Sequence, residues 1–230
     1  MKFIFPDLPI ISRSQYGLSS SQTVPEISVL QNIPVHLLAA IYASAQPFAK
    51  FDEYLCVINA YSAPSTDTLW RIVFELLFEE LHTPHLATLQ AGLLYLHKPS
   101  EGKKSSVADS SFVWSFVGML VGLATSLGLT LECKPMGLPA WERRLRRRLW
   151  WAVYAEDKWR SLMMGRPPYI RHDEWDVTDL DDDDFRVDQM QIDFLLSPDE
   201  GLLRDGLHMK QFQYFARLSR IADEVQVRLL

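Results

Sequence analysis

The chain has 230 residues, of which 48% are hydrophobic and 12% aromatic, and its formal net charge is −6. This composition is enough for one large core, and the ordinary glycine and proline content argues against a disordered chain. Free-standing DNA-binding domains are usually basic, so the acidic balance argues against a chain that grips DNA by itself. Cys56 and Cys133 support neither a disulfide framework nor a zinc cluster, and such sparse cysteine usage is typical of a reducing compartment.

The first half of the chain reads as a series of helices. Apolar residues at steps of three and four predict helices over residues 35–45, 69–81, 85–97 and about 110–128. A shorter helix is predicted over residues 51–60. Prolines and serine-rich turns between these segments predict short connections, which is typical of helices packed side by side.

Two stretches raise the question of membrane targeting. Residues 1–11 are apolar, but prolines interrupt them and no small-residue cleavage site follows, so no signal peptide is predicted. Residues 112–131 carry no charge, approach the length of a spanning helix and contain Gly118 and Gly122 at the spacing of a membrane packing motif. A membrane anchor is therefore one alternative. Serines and threonines in this stretch favour a buried helix instead, with close helix packing at both glycines.

A central helix is predicted over residues 141–164. One face carries residues at steps of three and four, namely Leu145, Leu149, Ala152, Glu156, Trp159 and Met163. Trp150 and Trp151 add apolar surface on the other sides, and a helix that is apolar nearly all round is usually buried. Gly165 followed by Pro167 predicts the end of the helix, since glycine suits the left-handed cap and proline cannot continue a helix.

The start of this helix is strongly basic, with Arg143, Arg144, Arg146, Arg147 and Arg148. One interpretation is a nucleic-acid patch or a nuclear import signal. The favoured interpretation is structural, because arginine stems cover apolar surface while their heads reach partners. Glu142 precedes Arg146 by four residues, which is the spacing of a helical ion pair.

Glu156 lies amid the apolar face of the central helix. A buried carboxylate needs a paired charge or a raised pKa. We therefore predict a buried ion pair between Glu156 and an arginine, with Arg148 or Arg166 as the leading candidates. Arg160, four residues further on, has the spacing of a helical ion pair with the same carboxylate.

The remainder of the chain predicts two more helices, over residues 187–196 and 202–230. The last one repeats apolar residues near helical spacing, namely Leu203, Leu207, Phe212, Phe215, Leu218, Ile221 and Val225. Before them, an acidic strip from Asp173 to Asp184 is predicted to be a solvated loop, because it lacks the ligand spacing of a calcium site. Strand alternation is not found. The sequence predicts an all-α fold, an irregular multi-helix array with short loops around the buried helix 141–164.

Catalytic and metal-binding patterns are largely missing. The glycines at 118 and 122 lack the lysine of a phosphate loop, and no nucleophile elbow or acid–base carboxylate pair is present. His82, His85 and His97 could be imagined as zinc ligands, but Pro84 separates the first two and no further ligand has suitable spacing. An enzyme is therefore not predicted, and no cofactor or metal is expected in this chain.

Four segments in order resemble one known family. Residues 146–177, RRRLWWAVYAEDKWRSLMMGRPPYIRHDEWDV, closely resemble the signature of the fungal-specific transcription factor domain, the middle homology region of binuclear zinc-cluster regulators. Residues 3–16, 82–96 and 113–130 resemble its opening segment and two of its helices. Thr130 stands where the family usually has histidine. The motif positions matched are Arg147, Arg148, Trp150, Trp151, Asp157, Gly165, Arg166, Pro167 and Asp176, and we interpret them, with Glu156, as architectural.

The resemblance implies an all-helical regulatory domain over residues 1–230, incomplete at its C-terminus, in a nuclear transcription factor. In this family the six-cysteine zinc cluster normally lies N-terminal to the domain, so DNA and zinc would be bound only by a module missing from this chain. The expected partners are other transcription factors or coactivators, without a membrane. An alternative is an effector-binding module whose helices enclose an apolar pocket for a small metabolite.

Overall fold

The computed structural model describes residues 8–12, 16, 27–51, 56, 64–99, 111–185 and 201–229. Within these ranges the regular structure is helical, with 3-10 turns over Gln46–Phe51, Glu80–His82, Lys134–Met136 and Asp182–Phe185. The helices are α1 (Ile27–Gln31), α2 (Val35–Ala45), α3 (Thr66–Glu79), α4 (Leu86–Leu96), α5 (Ser111–Ser126), α6 (Ala140–Met164) and α7 (Gly201–Leu229). The only β-type pairing in the described chain is an isolated parallel bridge between Leu131 and Asp176. The prediction of an all-α fold is confirmed.

Helix positions follow the sequence signals closely. Helix α2 has the predicted bounds, and α4, α5, α6 and α7 begin or end within two residues of their predictions. Helix α3 begins three residues earlier than predicted, at Thr66, directly after Ser65. The helix predicted over 187–196 lies outside the described residues, as does most of the one predicted over 51–60.

The helices form two groups that meet at α4. Helices α2, α3 and α4 pack on one another, and α5 and α7 pack on α6. Helix α4 also contacts both α5 and α6, and its residues 87–95 are all buried because neighbours surround it. Trp70 of α3, Tyr95 of α4 and Phe116 of α5 continue the core across the groups through edge-on and tilted ring contacts. The segment before α1 joins this core, since Gln90 donates a 2.6 Å hydrogen bond to the carbonyl of Ile10.

Helix α6 is the central element, as predicted. It contacts α4, α5, α7 and the turn Asp182–Phe185, so it is covered on several sides. Trp150 and Trp151 are at most 1% exposed. Pro139 precedes the helix, and Gly165 ends it in the left-handed conformation with φ of 62°. The apolar circumference of the middle of the helix is thus covered by neighbours, whereas Leu162 and Met163 near its end are exposed.

The predicted glycine packing in α5 is wrong in its details. A methyl group at Gly118 would lie 2.9 Å from the ring of Tyr169, which belongs to the segment after α6 and not to a helix. A methyl group at Gly122 would meet nothing within 4 Å. The close contact between helices occurs at Gly92 of α4, where an added methyl group would lie 2.5 Å from Leu120 Cδ2 of α5. In the described part of the chain, no helix combines the length and the apolar character needed to cross a membrane.

Helix α7 turns a different face to the core than its apolar repeat suggests. Phe212 is buried, but Phe215, Leu218, Ile221 and Val225 are exposed. The buried face instead carries small and polar residues, namely Ala216, Ser219, Ala222, Asp223 and Gln226. The physical reason is that α6 presents polar groups to α7, and buried polar groups require hydrogen-bond partners.

Candidate functional site at the arginine-rich helix

The arginines at the start of α6 are tied to protein acceptors. Arg146 donates from Nε to Glu142 over 2.9 Å and from Nη1 to the carbonyl of Leu127 over 2.9 Å. The first contact is the helical ion pair that the sequence predicts. Arg144 donates from Nε to Asp183 over 3.3 Å. These guanidinium groups lie against the fold and are not displayed as one basic face.

Arg147 is buried and holds the segment that follows α6. Its Nη1 donates to Asp184 Oδ1 over 2.7 Å, and its Nη2 donates to Thr178 Oγ1 over 2.8 Å and to the carbonyl of Asp179. Burial raises the pKa of Asp184 to about 6, while backbone N–H donation and the Arg147 charge limit the rise. One arginine thereby fixes three points of residues 178–184 against the helix.

The acidic strip is therefore only partly a solvated loop. Asp173, Glu174, Asp176 and Asp179 are exposed as predicted, but Asp184 is 2% exposed. The correction has a physical reason, since the buried Arg147 guanidinium needs a counter-charge with good geometry. Arg148, the next residue on α6, is also buried.

Glu156 forms the predicted ion pair, and its arginine partner is Arg160, at the helical spacing that the sequence indicates, rather than either leading candidate. Its carboxylate receives Arg160 Nε at 2.7 Å and His97 Nε2 at 2.9 Å, and neither Arg148 nor Arg166 is its partner. Arg160 lies one turn further along α6, and His97 ends α4, where that helix crosses α6. Burial alone would raise the pKa of Glu156, but the hydrogen bonds and charges of His97 and Arg160 lower it to about 2.

Asp157 positions the chain where it turns back after α6. Its carboxylate oxygens accept the backbone N–H groups of Tyr169 and Ile170, both over 2.9 Å. Burial raises the pKa of Asp157, and these two N–H donors, with the Lys158 charge, oppose that rise. The side chain is fully buried, so its role is to satisfy the returning backbone where water cannot reach it.

A buried polar network beside Asp157 joins α6 to α7. Lys158, fully buried, lies 2.9 Å from Asp223 and also donates to the carbonyl of Ile170. Tyr154 donates its hydroxyl to the other oxygen of Asp223 over 2.9 Å. The desolvated hydroxyl and the Asp223 charge raise the pKa of Tyr154. The sequence prediction missed this network, although Ser219, Asp223 and Gln226 recur at steps of four and three and mark a polar face of α7.

The remaining predicted residues lie in residues 166–184, the segment that runs back along α6 and that we call the return. Arg166 places its guanidinium 5.5 Å from the ring centre of Trp114, and Tyr169 stacks on Trp114 at 4.5 Å. Pro167 is exposed. Asp176 contributes its backbone, whose N–H donates to the carbonyl of Thr130 over 2.8 Å.

The paired tryptophans of α6 meet this return as well. Trp150 and Trp151 both pack against Trp175, with ring centres 5.7 and 5.6 Å apart. Trp151 donates its indole N–H to the carbonyl of Thr178 over 3.1 Å. Arg147, Trp150, Trp151 and Asp157 therefore hold residues 169–184 along α6, whereas Glu156 links α6 to α4.

The described residues include no group of three or more histidine, cysteine or acidic side chains placed to hold a metal ion. His97, one of the three histidines considered as ligands, is engaged with Glu156. The arrangement around α6 is one of internal ion pairs and backbone capping.

Comparison with known proteins identifies the family of the chain. The family described as the fungal specific transcription factor domain matches residues 2–230. The chain belongs to this family. No solved structure matches the chain.

Curated relatives of this fungal domain are transcriptional regulators. The chain is 32% identical over 192 residues to Transcriptional activator protein DAL81 of Saccharomyces cerevisiae, which covers 83% of the chain and 18% of the activator. It is 29% identical over 183 residues to a transcriptional regulatory protein of Schizosaccharomyces pombe, covering 79% of the chain and 25% of that protein. Cutinase transcription factor 1 alpha of Fusarium vanettenii is 24% identical over 221 residues, covering 95% of the chain and 22% of the factor.

The part of the chain that matches these relatives thus spans 18–25% of their length. Residues 146–177, which resemble the family signature, include most of α6 and most of the return, together with many of the contacts between them. Five of the motif positions are buried inside the fold, namely Arg147, Arg148, Trp150, Trp151 and Asp157.

Proposed function

We propose that this chain is the regulatory, middle homology domain of a fungal transcription factor. It acts in the nucleus on transcription by RNA polymerase II, through contacts within the factor or with other transcription factors and coactivators, and it catalyses no reaction. DNA binding is supplied by a zinc-cluster module outside these 230 residues, whose 2 cysteines do not suffice for one.

The observation that carries this proposal is the internal use of the arginine run. Arg144, Arg146 and Arg147 donate to carboxylates and carbonyls of the chain itself. Non-specific DNA affinity comes mainly from basic side chains that neutralise phosphates, and these guanidinium groups are already neutralised. The net charge of −6 adds repulsion from a polyanion. Both features support action through protein contacts.

A tethering experiment tests the proposed activity. The chain is fused to a DNA-binding module unrelated to it and expressed in a fungal host with a reporter carrying that module's site. We expect reporter output to differ from that of the module alone. The matched control is Leu149→Asp, which buries a charge in the core and should return the output to that of the module. Equal output with and without the intact chain would contradict the proposal.

A DNA-binding assay tests the proposal that DNA is bound by a module outside this chain. The purified chain, without any fusion, is mixed with random-sequence duplex DNA at low salt and followed by gel mobility. We expect no retention at protein concentrations up to about 10 μM, where basic domains already bind non-specifically. Retention that weakens steeply with added salt would show that the chain grips DNA by itself and would overturn this part of the proposal.

A further inference from the structure

Helix α7 carries an apolar stripe that faces away from the rest of the described chain. Tyr214, Leu218, Ile221 and Val225 are 62%, 48%, 55% and 44% exposed. They follow one another at steps of four, three and four, so they form one line along the helix. We refer to these four residues as the α7 stripe. The opposite face of α7 is buried against α6, so the stripe does not serve that packing.

The spacing of the α7 stripe specifies the kind of surface that fits it. Alternating steps of three and four repeat every seven residues, which is the pattern of a seam between two helices. Knobs from such a seam insert into holes formed by the side chains of a facing helix. A second helix running nearly along α7 therefore fits the stripe better than a flat surface does.

The charges beside the stripe specify the direction and the identity of that helix. Arg217 and Glu224 are both exposed and border the stripe seven residues apart, at equivalent positions of successive heptads. In an antiparallel pair of identical helices, equivalent border positions face one another. Arg217 of one copy then meets Glu224 of the other, and the two-fold axis repeats the contact. A parallel pair would instead place Arg217 beside position 222 and Glu224 beside position 229, which are Ala and Leu, so neither charge would face an opposite charge.

We propose that the α7 stripe is the interface between two copies of this chain, paired antiparallel about a two-fold axis that passes midway between Leu218 and Ile221. Leu218 and Ile221 form the central layers, and Tyr214 of each copy packs against Val225 of the other. Such an interface is isologous, since the same patch serves both copies. The Arg217 and Glu224 charges set direction and partner choice, while apolar burial supplies the attraction.

Sedimentation equilibrium of the 230-residue chain tests the proposal. We expect a reversible dimer with a dissociation constant below about 100 μM. Ile221→Glu should weaken dimerisation by about 100-fold or more, because it places a charge against Leu218 of the other copy in both central layers. Its melting temperature at low protein concentration should be that of the native chain, because the side chain is exposed. Val35→Glu, on an equally exposed apolar residue of α2, is the matched control and should leave the dimer intact.

Charge reversal separates the antiparallel pair from other contacts. Arg217→Glu and Glu224→Arg each create two like-charge contacts in a homodimer, so each chain alone should dimerise at least about 10-fold more weakly. A mixture of the two variants restores both attractive contacts, so the mixed dimer should form preferentially. A native chain that stays monomeric, a dimer indifferent to Ile221→Glu, or no preference for the mixed pair would each overturn the proposal. A monomer destabilised by Ile221→Glu would instead assign the stripe to a contact within a chain.

Discussion

Ion pairing at Glu156 shows how one buried carboxylate gains two partners from different helices. Arg160 approaches it from the same helix, and His97 approaches it from the end of α4. Because the pair is protected from water on most sides, it keeps the carboxylate charged in spite of burial. The link between α4 and α6 therefore depends on the Glu156 carboxylate remaining charged, because the His97 contact is made to that group.

This predicts an acid-dependent loss of stability that Glu156→Gln removes. The folded pKa of Glu156, about 2, lies below its ordinary value of 4.5. Its contribution is therefore present above about pH 4.5 and is lost as the pH falls towards 2. At pH 7 we expect the variant to be less stable by on the order of 3 kcal/mol at most. Urea unfolding from pH 7 to pH 3 measures the difference from the native chain.

The difference in unfolding free energy between the two chains should shrink as the pH falls. Asp184 is present in both chains, so its own titration cancels from this difference. Glu174→Gln, at an exposed residue of the same return, is the control and should match the native chain throughout. A constant difference between Glu156→Gln and the native chain from pH 7 to pH 3 would show that the carboxylate charge is not what stabilises this link.

At the scale of elements, the termination of α6 is what allows the chain to turn back along it. Gly165 has φ of 62°, and Arg166 N–H then donates to the carbonyl of Ser161 over 3.0 Å. This is the backbone pattern of a glycine-capped helix end. The Asp157 carboxylate then accepts hydrogen bonds from the backbone N–H groups of Tyr169 and Ile170. The glycine cap and this carboxylate thus stabilise successive parts of the same turn.

Replacing glycine by alanine should therefore have opposite effects at two positions. Gly165→Ala forces a side chain into the left-handed region and should cost about 1 kcal/mol. Gly122→Ala lies inside α5 with open space around it, so it should stabilise the fold by about 0.5–1 kcal/mol. Thermal unfolding of the two variants beside the native chain measures both effects. Two shifts of the same sign would contradict the conformational explanation.

Local sequence signals located the elements well. The start of α6 after Pro139, its end at Gly165 and the Glu142–Arg146 pair depend on residues close together in the chain, so spacing predicts them. Pairs such as Arg147 with Asp184 or Lys158 with Asp223 join residues that are far apart in the sequence. Their formation depends on how the helices are arranged, and periodicity carries no information on that.

The prediction of which face of α7 is buried was wrong for a related reason. Its apolar repeat is regular, and a regular apolar repeat predicts a core face. The face that is buried was selected instead by Tyr154 and Lys158 of α6, which need Asp223 as a partner. A polar requirement on a neighbouring helix overrode the apolar pattern of the helix itself.

At the scale of the whole molecule, a close approach between α4 and α5 is one of the contacts that join the two helix groups. Gly92 of α4 lies so near Leu120 of α5 that an added methyl group would be 2.5 Å from its Cδ2. The two groups meet around this contact and around the crossing of α4 and α6. Unfolding of one group should therefore expose the core of the other.

Overpacking at this point should destabilise the whole domain. Gly92→Ala is expected to cost about 1–3 kcal/mol in urea unfolding, because Leu120 has to move within a packed core. Leu120→Val shortens the side chain, so the double variant should recover part of that cost relative to the two single changes. Strict additivity of the two changes would show that the two side chains do not compete for this space.

The helical setting of the arginine run also affects how a protease would cleave the domain. Residues 143–148 hold the densest run of trypsin sites in the sequence, yet each arginine lies in a helix whose side chains contact the fold. Cleavage requires several residues to leave their structure and extend, and the stability of a core helix opposes this. In the native domain, the segment richest in basic residues becomes the one least open to digestion. A brief tryptic digest would therefore leave α6 whole, and its survival would report directly on the integrity of the folded centre.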